Sequence, residues 1–153
     1  MTGKQSTGVD DLAWYKKIYD AQFSGQGTLD EPVIYDLGTT GKNPKALKYV
    51  EMGRIIPLPD WFSLSRRTKH ITNELYWVTG DIWHDIENGE LDVAITAAMG
   101  DLTHLGFTKE EAVGYVKALA AFYNRVGERS EDAHVGNIGV NIQNPSHMVL
   151  FDA

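Results

Sequence analysis

From Asp11 onward, Leu12, Tyr15, Ile18, Tyr19 and Phe23 recur at helical spacing, while Lys16, Lys17 and Asp20 fall on the other side. The pattern predicts a short amphipathic helix ending in Ser24-Gly25-Gln26-Gly27. After Pro32 the periodicity changes to two β-type runs, Val33-Ile34-Tyr35 and Leu47-Lys48-Tyr49-Val50, separated by the turn-rich stretch 38–44. A small hairpin is the expected result. Residues 51–59 contain Gly53, Pro57 and Pro59, which interrupt regular structure, so this stretch reads as an irregular connector. Helical spacing returns between Ser63 and Glu87, with Ile71, Leu75, Val78, Ile82 and Ile86 three or four residues apart, and one or two further helices follow. The best-marked of these opens on a capping box, Thr108 to Glu111, and runs through Val113, Val116, Leu119, Ala120 and Tyr123 to Gly127. Residues 138–142 and 148–151 are β-rich and flank the turn-prone 143–147, predicting a second hairpin. The fold class is therefore α+β, with residues 1–10 as a loose polar arm and residues 11–153 as one domain.

Composition narrows the range of functions. A length of 153 residues, 42% hydrophobic and 23% charged, fits one globular core and excludes disordered and fibrous classes. Fourteen Lys and Arg against twenty-one Asp and Glu give a net charge of −7, so a nucleic-acid ligand is not expected. The lack of cysteine excludes disulfide scaffolds, thiol nucleophiles, zinc ribbons and iron–sulfur clusters. No secretory h-region and no run of ~18 apolar residues occurs, which points to a soluble, cytoplasmic protein without a membrane partner. His70, His84, His104 and His147 lack zinc-site spacing and read as surface or core histidines. Tyr76, Trp77 and Trp83 read as core aromatics, and the acidic pairs Asp10-Asp11, Asp30-Glu31 and Glu110-Glu111 as solvated faces or helix starts.

The chemistry is concentrated in Glu131-Asp132-Ala133-His134-Val135-Gly136-Asn137, which lies between the capped helix and the last hairpin, and in Leu150-Phe151-Asp152. If Gly136 and a buried His134 pin the loop, Asp132 and Asn137 both turn inward, and the hairpin returns Asp152 to the same mouth. Hard oxygen donors of this kind suit Mg²⁺, which prefers one or two carboxylates plus substrate phosphates.

The string D-x-H-x-G-N followed by L-F-D resembles the protein-kinase-like superfamily, in particular the catalytic loop of aminoglycoside and choline phosphotransferases. The resemblance implies a truncated kinase-like fold with Mg²⁺ and ATP as cofactors. Asp132 would be the catalytic base, Asn137 and Asp152 the metal ligands, and His134 and Gly136 structural loop residues. Residues 48–53 look like the strand entering the interlobe hinge, which puts Glu51, Met52 and Gly53 on the nucleotide side. Minimal kinase-like proteins of this shape resemble bacteriophage-encoded ones, which implies a host cytoplasm. The family's Gly-rich loop and strand-borne Lys have no counterpart, since Gly25-Gln26-Gly27 follows a helix and reads as a turn, and no Lys or Arg occurs after Arg129. Two functions follow. One is a minimal phosphotransferase. The other is a non-catalytic pseudokinase fragment that binds a protein partner or a second copy of itself. The second expects an apolar surface around Trp14, Tyr15 and Tyr19 or at Trp61-Phe62.

Overall fold

The computed structural model describes residues 11–39, 48–64, 72–131, 133 and 135–151. Helix α1 (Asp11–Phe23) buries Trp14, Tyr15, Ile18 and Ala21, a stripe spaced by three and four residues. Trp14 stacks on Tyr15 and meets Phe122 edge-on, each with centroids 4.8 Å apart. The apolar face is thus rotated from the one the sequence suggests: Trp14 and Tyr15 are core residues, whereas Phe23 is 85% exposed. Strands β1 (Ile34–Thr39) and β2 (Lys48–Met52) form the expected antiparallel hairpin, with an irregularity between Ile34 and Asp36.

The connector is more regular than its prolines suggest. It forms strand β3 (Ile55–Pro57) and helix α2 (Leu58–Leu64). Pro57 occupies the last rung of an edge strand and Pro59 the first turn of a helix, both places where a missing N–H costs little. Phe62 is buried and Trp61 half-buried, its indole N–H donating to Glu111 Oε2 at 2.7 Å, so neither provides the expected exposed surface.

Helix α3 (Thr72–Glu87) buries Leu75, Ile82, Trp83 and Ile86 and packs Val78 against them, while Ile71 lies outside the described residues. Tyr76 and Trp77 overturn the core expectation, because each is 71% exposed. The spacing of aromatics on a helix does not say which face finds a partner.

Helices α4 (Leu91–His104) and α5 (Lys109–Val126) complete the helical part. The capping box of α5 is present in full. Glu111 N–H donates to Thr108 Oγ1 at 3.1 Å, Thr108 N–H donates to Glu111 Oε1 at 2.9 Å, and Gly127 closes the helix at φ 89°. Helix α5 packs against α1, α3 and α4, and its buried Tyr115 shares a 2.7 Å hydrogen bond with Thr79 of α3. Burial pushes the Tyr115 phenol well above its ordinary pKa.

Strands β4 (Ile138–Asn141) and β5 (Met148–Leu150) form the second hairpin, and β3 joins it to give an antiparallel sheet in the order β3-β4-β5. Ile55 faces Asn141, Ile56 faces Val140, and Pro57 faces Gly139. Ile138, Val140, Met148 and Leu150 close the core, with β5 lying on α5. Among the described residues, no helix is long and apolar enough to cross a membrane.

Candidate functional site

The segment between α5 and β4 is anchored at both ends. At its start, Arg129 forms a two-pronged pair with Glu87 at the end of α3, Nε to Oε2 at 2.9 Å and Nη2 to Oε1 at 2.5 Å. This hydrogen bond holds the Glu87 carboxyl below the usual carboxylate range and raises the Arg129 guanidinium further. Ser130 is buried, Glu131 is exposed, and Ala133 packs against the core. At the other end, residues 135–137 form a 3-10 turn that leads directly into β4 and contains Gly136 and Asn137. Asn137 is nine-tenths buried.

Strand pairing brings the second motif to the first. Ile138 faces Leu150, and one residue further out Phe151 N–H donates to the Asn137 carbonyl at 2.8 Å. The Leu150-Phe151 pair is therefore held beside Asn137, and Asp152 is the next residue in sequence. Asp132, His134 and Asp152 lie outside the described residues. Among the described residues, no group of three or more His, Asp or Glu is arranged to hold a metal ion.

Glu51 and Met52 end β2, the first exposed and the second packed on the core. Gly53 is buried, with its N–H donating to Val33 O at 2.8 Å. The chain then continues as β3 and α2, both of which pack against the 3-10 turn of Gly136 and Asn137. The Glu51–Gly53 stretch and the Asn137 turn are thus connected through one short strand. That strand is hidden in the sequence because its pairing partner lies ~80 residues away.

Two further ties also escape sequence reasoning. Glu31 is not a solvated acid: it is 2% exposed and accepts from Arg125 Nε at 2.9 Å and Nη2 at 2.8 Å, which fixes the segment before β1 to the end of α5. The neighbouring Asp30 bonds His147 Nδ1 at 3.0 Å, and Gln143 donates to Tyr35 Oη at 2.9 Å, so the β4–β5 turn is held by the N-terminal part. His84 and His104 are exposed, as surface histidines.

A groove of about 350 Å³ opens beside the loop, between α3 and Arg129, Ser130, Glu131 and Ala133. Tyr76 and Trp77 form one wall with rings 5.4 Å apart at 80°, Gly80 and buried Trp83 line its helical side, and Arg129 and Glu131 form the other wall. No known protein family matches the chain, and neither does any curated protein or solved structure compared with it.

Proposed function

We propose that the protein is a minimal kinase-like phosphotransferase that binds ATP and Mg²⁺ between the Glu51–Gly53 stretch and the Asp132–Asn137 loop. The observation that carries this reading is the junction between Phe151 N–H and Asn137 O, which holds Leu150-Phe151 of the L-F-D string beside the Gly136-Asn137 end of the D-x-H-x-G-N string. The order of capped helix, loop and hairpin also supports it, as does the strand that follows the hinge-like stretch and pairs with that hairpin.

The donors that the motif offers, the carboxylates of Asp132 and Asp152 and the amide of Asn137, are all oxygens, a set that fits Mg²⁺. Asn137 and Asp152 would hold the ion, which supplies charge neutralisation at the transferred phosphoryl group. Asp132 accepts the proton of the acceptor hydroxyl as its oxygen bonds to the γ-phosphorus and the bond to ADP breaks. Buried Asn137 and the anchored ends of the loop, Arg129 on Glu87 and Phe151 on Asn137, support this reading.

Calorimetric titration of MgATP into the full chain tests the reading, together with transfer from γ-labelled ATP. Heat of binding is expected in the wild type, at least about tenfold weaker affinity in Asp152→Ala, and in Asp132→Asn retained binding with transfer lowered roughly 10²–10⁴-fold. No heat in the wild type, or equal heat in Asp152→Ala, overturns it. The rival reading, an interaction module covered at α1 or Trp61-Phe62, finds Trp14, Tyr15 and Phe62 in the core, while Phe23 and Leu64 near them are exposed.

A further inference from the structure

The groove beside the loop is built, Arg129 aside, from features that the phosphoryl-transfer reading does not use. Most core-facing aromatics of the chain are covered, yet Tyr76 and Trp77 are each 71% exposed on consecutive positions of α3. Their rings meet edge to face at 80°, and both line the groove. A ring face attracts a cation, most strongly for Trp, and more so when the site is partly screened from water.

Among the described residues, the charges around this corner, Arg129 aside, are acidic. Glu74 and Asp81 stand one turn to either side of Trp77 on the same stripe of α3, and both are exposed. Glu131 rises from the opposite wall. The cation that lines the groove, Arg129, is neutralised by its two-pronged pair with Glu87. Helix α3 contains no Lys or Arg at all. The acids extend along the helix from Glu74 to Asp81, a rise of ~10 Å, beyond the aromatic corner in both directions. That length suits an extended chain better than a single small cation.

We propose that this groove is a docking site for a basic polypeptide segment, one Arg or Lys side chain of which lies in the Tyr76–Trp77 corner while its neighbours face Glu74, Asp81 and Glu131. The site does not depend on nucleotide binding or phosphoryl transfer.

Gly80 provides a clean probe. It lines the groove, and a Cβ built on it meets no other atom within 4 Å, so a larger side chain grows into the groove without disturbing the core. The probes are three synthetic peptides of equal length, one with Arg and Lys at spaced positions, one with Gln in their place and one with Glu, together with free arginine amide. Binding to the full chain is read by calorimetry, and folding by thermal melts. The basic peptide is expected to bind and the Gln and Glu peptides are not. Trp77→Ala is expected to weaken binding at least about fivefold, and Gly80→Leu to abolish it with an unlowered melting temperature. Glu131→Gln and Asp81→Asn are expected to weaken binding, while Asp101→Asn, an exposed acid on α4 that removes the same charge, leaves it unchanged. The proposal is overturned if Asp101→Asn weakens binding as much as Asp81→Asn, or if the Gln peptide binds equally. Binding by Gly80→Leu at wild-type strength overturns it too, as does arginine amide binding as tightly as the peptide.

Discussion

At Gly139 the difference between a hydrogen and a methyl group decides whether β3 can lie on β4. A Cβ there would sit 2.6 Å from Ile55 Cγ2 and 2.9 Å from the Ile56 carbonyl carbon, and backbone cannot retreat as a flexible side chain can. Gly139→Ala is expected to destabilise the fold by about 1–3 kcal/mol, read as a lower urea midpoint. Gly80→Ala, which meets open space in the middle of a helix, should stabilise it by up to ~1 kcal/mol. In the sequence both are simply glycines in structured runs, and only the approach of a distant strand separates them. Glu31 shows the same limit. An acid next to Asp30 looks solvated because nothing local marks it for burial, and Arg125 lies 94 residues further on. Residues whose role depends on neighbours in sequence were legible; those whose role depends on neighbours in space were not.

Elements follow the same division. The capping box of α5 and both hairpins could be read directly, since a cap is set within four residues and a hairpin by the turn between its strands. The short β3 and the first two residues of α2 read in the sequence as an irregular connector, because Pro57 and Pro59 forbid an interior strand or helix but not an edge rung or a first turn. At the site, Gly136 and Asn137 lie in the 3-10 turn just before β4, and the hairpin register brings Phe151 to the Asn137 carbonyl. The start of α5 also joins two elements. Glu111 serves the cap through Oε1 and the Trp61 indole of α2 through Oε2. Thr108→Ala removes one capping bond and is expected to cost ~1 kcal/mol. Glu111→Ala removes both of its bonds and should cost more, about 2 kcal/mol. Denaturant melts compare the two, and the Trp61 fluorescence should change with Glu111→Ala only.

Across the whole molecule, the loop is tied to the helical part through Arg129 and Glu87, and this tie is pH-sensitive. Folding lowers the pKa of the Glu87 carboxyl, so its contribution to stability is full above the ordinary carboxylate range. It is lost as pH falls through that range to the lower folded value. Both side chains are substantially exposed and screened by water, which keeps the contribution small. Glu87→Gln is therefore expected to lower the urea midpoint slightly at neutral pH and to converge on the wild type as pH falls below the carboxylate range. A gap that persists at low pH would mean that the pair acts through packing instead of charge. The same tie sets Arg129 against the groove wall, so loosening it changes both the loop entrance and the charge facing Trp77.

The sheet that joins β3 to β4 also has a consequence for how the protein is made. The ribosome releases β3 some eighty residues before its partner, which at 5–20 residues per second is roughly 4–16 s. Throughout that interval Ile55 and Ile56 present an unmatched strand to the crowded cell, where another nascent chain could add to it. Pro57, which has no amide hydrogen to offer, limits how far such an intruder can pair.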